Sequence, residues 1–300
     1  MSTSVEHALR KLRRTFYICV LNFKGGVGKT TTSINLSDYF ARKGYRVLLV
    51  DCDLQANSGS GLLKEIEGPT LTDVIKGHVS LYKAIRQVRE NLFLLPSDSH
   101  LDTAAKHIIS SGMGGYTLLS RSLKLLEKGK QLAEFEKKGD TPVQSPFLTL
   151  AQCVFDLVIF DNAGLSAVTE SALYCSDAML IPVEMQYFSY EGIFVMIEKL
   201  QQVMDSMNHE LDILGIIPYN IDNRMNLTKS YFRSLAASFA EEVTFEVHTD
   251  ASVGYAQAAA KTIFEFDPKC KAAQDFTTLG NEILERVAVT LKQEEEEARR

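Results

Sequence analysis

Residues 24–31 read Lys-Gly-Gly-Val-Gly-Lys-Thr-Thr and bring two lysines, three glycines and two threonine hydroxyls into one short stretch. They follow an apolar run at 16–21 and precede Ile34, Leu36, Tyr39 and Phe40, which recur at helical spacing. The turn therefore sits at a helix N-terminus, where the helix dipole favours negative charge and glycine lets backbone N–H groups approach oxygen ligands. The chemistry this implies is the binding of nucleotide phosphates. Lys29 is placed to reach the β- and γ-phosphates, and Thr30 to coordinate Mg²⁺. The standard loop pattern, G-x-x-x-x-G-K-[ST], asks for glycine at position 23, where this chain has Phe23, and Lys24 opens the loop instead. Lys24 reads either as a solvated loop cation or as a further phosphate ligand.

A loop of this kind needs a sheet to hold it. Strands are predicted at 16–21, 46–51, 92–95, 156–161, 178–183, 212–217 and 243–247, separated by segments long enough for helices. Alternating strands and helices predict an α/β fold: a mostly parallel, twisted sheet of about seven or eight strands with helices on both faces. Sites in such sheets lie at the carboxyl ends of strands, and the 24–31 loop, Asp53 and Asp161 all fall at such ends. Three motifs far apart in the chain are thus expected to meet in one pocket.

The loop resembles that of the deviant Walker A ATPases of the ParA/MinD family, K-G-G-x-G-K-[ST], and the likeness continues along the chain. Val-Leu-Leu-Val-Asp-Cys-Asp-Leu-Gln at 47–55 is similar to the family's strand ending in D-x-D-P-Q, with Leu54 in place of proline. Phe-Asp-Leu-Val-Ile-Phe-Asp at 155–161 resembles its Walker B strand, but continues as Asn162-Ala163-Gly164 instead of a proline-rich turn. Residues 182–192, Pro-Val-Glu-Met-Gln-Tyr-Phe-Ser-Tyr-Glu-Gly, and Lys261-Thr262-Ile263 with Phe266-Asp267-Pro268 resemble later family segments. The motifs run in family order from about 16 to 290.

The resemblance implies ATP and Mg²⁺ as ligands and ATP hydrolysis as the activity, weak alone and stimulated by a partner. Lys24, Gly25, Gly26, Val27, Gly28, Lys29, Thr30 and Thr31 would cradle the nucleotide, with Thr31 at the α-phosphate. Catalysis would fall to Lys24, Lys29, Asp53 and Asp161. The metal would be held by Thr30, Asp53 and Asp161, with Asp161 acting through a water and Asp53 orienting the attacking water. Asp51 is expected to end its strand near the metal, and helix capping is the bland alternative for these aspartates. Asn220, beside Pro218 and Tyr219, is a candidate adenine ligand or a simple turn residue. Losing the rigid proline turn after Asp161 predicts a mobile segment over 162–168.

In the family the first loop lysine crosses a two-fold interface to the partner's nucleotide, so Lys24 implies a homodimer that forms around two ATP molecules. Interposed triphosphates would offset the positive charge of the facing loops. ParA-like members bind non-specific DNA in that state and are released by a ParB-like or other cargo adaptor that stimulates hydrolysis. Arg224 in Asp-Asn-Arg-Met-Asn-Leu at 222–227 resembles a segment carrying a DNA-contacting arginine, and Lys229 and Arg233 follow on the same predicted helix. The later family segment P-R-x-x-x-x-x-E-A-P appears here as His-Thr-Asp-Ala-Ser-Val-Gly-Tyr-Ala-Gln at 248–257, without its arginine or its acid. The expected role is positioning or segregating a plasmid, chromosome region or protein cargo.

Three hundred residues with 45% hydrophobic content can bury a substantial core, and a net charge of −6 leaves room for a local basic stripe. One ATPase domain is expected over 16–292, with a basic amphipathic helix at 1–15, a polar insertion at about 127–147 and an acidic, frayed tail at 293–300. The five cysteines form no C-x-x-C pair and read as free thiols of a reducing cytosol. No 18-residue apolar stretch exists, so no stable membrane insertion is expected and the protein is expected in the cytoplasm, on the nucleoid.

The competing reading is a MinD-like membrane-cycling ATPase, which needs an amphipathic anchor, usually at the C-terminus, where this chain is rich in glutamate. An iron-sulphur carrier of the same fold would need cysteines placed to bridge two subunits, and the surroundings of Cys153 do not suit that. An amidoligase would need a second catalytic constellation, which the sequence does not show.

Overall fold

The computed structural model describes residues 14–127, 154–185, 190–207, 209–222 and 226–299. Most of the 1–15 segment, nearly all of the 127–147 insertion, and Arg224 lie outside them. Eight strands form one sheet: β1 (Phe16–Val20), β2 (Val47–Cys52), β3 (Arg86–Arg89), β4 (Leu92–Leu95), β5 (Leu157–Asn162), β6 (Ala178–Glu184), β7 (Asp212–Ile221) and β8 (Val247–His248). Their order is β3-β4-β2-β5-β1-β6-β7-β8, with β3 antiparallel to β4 and the other pairs parallel.

The helices are α1 (Lys29–Arg42), α2 (Asn57–Leu62), α3 (Leu71–Ile75), α4 (Leu81–Ala84), α5 (Leu101–Ser110), α6 (Met113–Tyr116) and α7 (Leu118–Glu127) in the first half. After β5 come α8 (Ala167–Cys175), α9 (Tyr190–Met207), α10 (Asn226–Ser238), α11 (Ala251–Ala258), α12 (Ile263–Phe266) and α13 (Lys271–Glu297). The fold is the expected one. Each predicted strand is present except the last, where Val243 makes only an isolated bridge to Ile216 and the strand itself begins at Val247. The short antiparallel edge strand β3, whose residues are only partly buried or exposed, carries no apolar alternation and escaped the sequence reading.

β1 shows why the sheet is covered on both faces. Successive side chains of a strand point to opposite sides, so Phe16, Ile18 and Val20 join one core with Phe40, Phe276 and Ile283, while Tyr17 joins Val50, Phe160 and Ile108 on the other face. A third cluster gathers Cys19 and Leu21 with Met196 and Leu200 of α9. The late Lys-Thr-Ile motif docks the phosphate-loop helix: Ile263 N donates to Asn35 Oδ1 at 2.8 Å and Thr262 Oγ1 to Asp38 Oδ2 at 2.5 Å.

At the start of the described chain, the two residues before β1 differ from the expected helix. Arg14 and Thr15 are not helical. Arg14 instead reaches Asp177 at 2.8 Å and Glu294 at 2.7 Å, and the Thr15 hydroxyl donates to Phe155 O at 2.8 Å, which draws the chain straight into β1. The acidic tail continues α13 as regular helix to Glu297.

Candidate functional site

The loop between β1 and α1 takes the shape its glycines permit. Gly28, the residue before α1, has φ 88°, a left-handed conformation that side chains with a Cβ rarely adopt. A Cβ there would also lie 2.5 Å from the ring of Tyr219. Asn22 fixes the start of the loop: its Nδ2 donates to Pro182 O at 2.8 Å and its Oδ1 accepts from Lys24 N at 2.9 Å. Lys29 is buried and donates from Nζ to Lys24 O at 2.6 Å, so the lysine folds back over its own loop. Burial pulls its ammonium below the usual value, against the raising influence of Asp161 and Asp53. Lys24 itself is half-buried.

Three buried aspartates stand behind the loop. Asp51 and Asp161 occupy paired positions at the carboxyl ends of β2 and β5. Burial raises both carboxyls above the usual range, and for Asp51 the neighbouring Asp161 charge adds to the effect. Asp161 accepts from Ser33 Oγ at 3.0 Å on Oδ1 and from Ser58 Oγ at 2.6 Å on Oδ2. Thr30 also hydrogen-bonds to it. Asp51 accepts from Asp53 N at 3.0 Å and Gly59 N at 2.9 Å, which makes it the brace of the turn into α2. Asp53 accepts from Gln55 N at 2.9 Å and Asn57 Nδ2 at 3.2 Å.

Asn162 is strand, not switch. It is the last residue of β5, buried, and its Nδ2 lies 3.2 Å from Val20 O and 3.1 Å from Phe160 O, tying β5 to β1. Its Oδ1 is buried without a partner. The stretch between this strand and α8, which Ser166 caps by accepting from Thr169 N at 3.2 Å, is only Ala163 to Leu165. Of the segment expected to be mobile, 162–168, Asn162 belongs to β5 and Ala167 and Val168 to α8.

A cavity of about 810 Å³ opens between these elements and the far side of the sheet. Gly25, Gly26, Gly28, Lys29, Thr30, Thr31 and Asp53 line its phosphate-loop side, and Tyr219, Asn220, His248, Thr249 and Gln257 its other side. Asn220 has φ 59°, donates from Nδ2 to Glu184 Oε1 at 3.0 Å and accepts from Thr249 Oγ1 at 2.7 Å. Asn220 lines the cavity, but it lies within β7, at a register shift between Tyr219 and Ile221, and is not the simple turn residue of the alternative reading. Gln257 Nε2 donates to Thr31 Oγ1 at 2.8 Å, linking α11 to the first turn of α1. His248 accepts or donates at Nδ1 with Asp275 at 3.0 Å.

Sequence reasoning missed Ser33, Ser58, Tyr219 as the loop's packing partner, and Gln257. Ser33 was discoverable, since it lies one helical turn after Lys29 on the same face. The contacts of Ser58 and Gln257 depend on how separate strands are laid side by side. Of the candidate DNA residues, Arg233 is exposed on α10, Lys229 lies within the same helix, and Arg224 falls outside the described residues.

A family model described as an AAA domain matches residues 15–213. The chromosome-partitioning ATPase Soj of Thermus thermophilus is 31% identical over 279 residues, covering 92% of this chain and 97% of Soj. Among solved structures, a McdA–ATP complex from Cyanothece superposes with a TM-score of 0.71 at 22% identity, over 91% of this chain and 96% of that one. The septum site-determining protein MinD of Pyrococcus horikoshii, complexed with Mg-ADP, gives 0.64 at 23% identity, over 90% and 96%. The chain belongs to the family of that model and is a P-loop ATPase of the ParA/MinD type.

Proposed function

We propose that this chain is an ATP-driven switch that dimerises around ATP, binds DNA non-specifically in that state and positions or segregates a cargo with an activating adaptor. The observation that supports it is the grouping of Lys29, Thr30, Asp53 and Asp161 around a loop whose Gly26 and Gly28 take left-handed φ values. Lys24, opening that loop, is the cation for the partner's phosphates.

The residues fit a hard cation. Thr30, Asp53 and Asp161 offer oxygen only, the donor type that Mg²⁺ takes, and Mg²⁺ is commonly held by one or two protein groups plus substrate phosphates. When bound, Mg²⁺ would neutralise charge on the phosphate oxygens. The protein's own work is positioning. Lys29 leaves Lys24 O for the β- and γ-phosphate oxygens and stabilises the charge that moves onto the leaving ADP as water attacks the γ-phosphorus. Asp53 orients that water and accepts its proton. Ser33 and Ser58 hold the Asp161 carboxylate. Loss of the γ-phosphate removes the charge that kept the two loops together, and the pair separates.

DNA binding rests on Arg224, which lies outside the described residues, and on Lys229 and Arg233 of α10. The test is electrophoretic mobility of a DNA fragment with ATP, ADP or no nucleotide, for wild type, Lys24→Ala and Arg224→Ala. Binding is expected with ATP alone, abolished by Lys24→Ala and weakened by Arg224→Ala, and falling steeply with salt because phosphate contacts release counterions. No binding at low salt, with ATP-dependent sedimentation on liposomes, would replace the DNA reading with membrane cycling.

A further inference from the structure

Three consecutive residues at the start of α2 each hold a different aspartate. Asn57 Nδ2 donates to Asp53 Oδ2 at 3.2 Å, Ser58 Oγ to Asp161 Oδ2 at 2.6 Å, and Gly59 N to Asp51 Oδ2 at 2.9 Å. Asp51 and Asp161 lie side by side on β2 and β5, and Asp53 follows β2 in the turn. The start of α2 is therefore a bracket across two strands. We propose that Ser58 is a positioning residue of the ATPase site, keeping the Asp53 turn in register with the Asp161 carboxylate. The inference rests on the reading of Asp53 and Asp161 as the water- and metal-facing groups.

The two serines on Asp161 are not equivalent. A hydroxyl has one proton to donate. Ser33 divides its proton between Asp161 Oδ1 and its own helix, since Lys29 O also lies at 3.0 Å. Ser58 has Asp161 as its partner at the shorter distance and is wholly buried. Ser33 sits on α1, which the core holds from β1, β2 and β5; losing its contact would leave that helix in place. Ser58 sits on a six-residue helix, too short to be stable by its own backbone bonds; Leu62 anchors its end in the core and Gly59 N ties it to Asp51, while the Ser58 hydrogen bond joins its start to the Asp161 carboxylate of β5. A charge-assisted bond to a buried carboxylate is among the stronger kinds. An oxygen of Asp161 has two lone pairs, so Oδ2 keeps an acceptor position while Ser58 occupies the other. The bracket can stay closed while the site works.

Loss of an outer partner of a metal-facing group commonly costs 10- to 100-fold. Ser58→Ala is expected to lower kcat by about 10- to 100-fold with KM for ATP within about twofold. Amide exchange over 53–61 should speed up in the nucleotide-free protein, with exchange in β5 unchanged. Ser58→Thr, which keeps the hydroxyl, should recover most of kcat and slow exchange, and melting temperatures of both variants show that they fold. Unchanged kcat and unchanged exchange in Ser58→Ala would overturn the proposal, as would equal loss in Ser58→Thr folded to the wild-type melting temperature. Wild-type protein that neither hydrolyses ATP nor binds it with Mg²⁺ would instead overturn the site reading, while the exchange measurement would still report on the bracket.

Discussion

The two sides of the nucleotide cavity are built differently. On the phosphate side, residues supplied by β1, β2, β5 and the segments that follow them are locked by side-chain hydrogen bonds: Lys29 to its own loop, Asp161 to two serines, Asp51 and Asp53 to backbone N–H groups. On the other side, Tyr219, Asn220, His248, Thr249 and Gln257 come from β7, β8, α11 and the connection between them, and their bonds run to scattered partners: Asn220 to Glu184 and Thr249, His248 to Asp275, Gln257 to Thr31. Phosphate carries fixed charge and one geometry, so its binders are confined to contiguous loops at strand ends. The opposite wall needs only shape and a few donors, which many sequences can supply. The difference implies that substitutions on the phosphate side abolish turnover, while those on the other side tune affinity.

Lys29→Ala puts this to its hardest test. Removing the cation proposed to meet the γ-phosphate should reduce kcat by about 100- to 1,000-fold, measured by phosphate release. Gly28→Ala probes where the two sides touch: the left-handed φ costs about 1–3 kcal/mol and the added Cβ collides with the Tyr219 ring. Its melting temperature should fall, and adding Tyr219→Ala should recover only the steric part. Asn220→Ala should raise KM for ATP roughly 3- to 10-fold with kcat nearly unchanged, the loss of about one hydrogen bond. Gln257→Ala, which releases the Thr31 hydroxyl, should have the smallest effect, about two- to threefold in KM. A large kcat defect in Asn220→Ala or Gln257→Ala would erase the division between the two sides.

The same division decides what could be read from the chain. The phosphate loop, Asp53 and Asp161 are legible because each combines a strand-like apolar run with a charged residue at its end, a local pattern fixed by the backbone. Strand positions were legible for the same reason, apart from β3, whose residues are only partly buried or exposed, and β8, which is two residues long. Ser58 was not legible. Its partner Asp161 is over a hundred residues away, and serine at that position is equally at home in an exposed turn. The Asn162 departure was visible, but its contact was not: the buried amide bonds to Val20 O of the neighbouring strand, a partner 142 positions away.

The central claim is that the γ-phosphate governs association through Lys24. Light scattering on size-separated protein with ATP, a non-hydrolysable analogue, ADP or no nucleotide tests it directly, for wild type, Asp53→Ala and Lys24→Ala. Two-chain mass is expected for wild type with the analogue and for Asp53→Ala with ATP, and one-chain mass with ADP and for Lys24→Ala throughout. One-chain mass for Asp53→Ala in saturating ATP, or two-chain mass for Lys24→Ala, would contradict it.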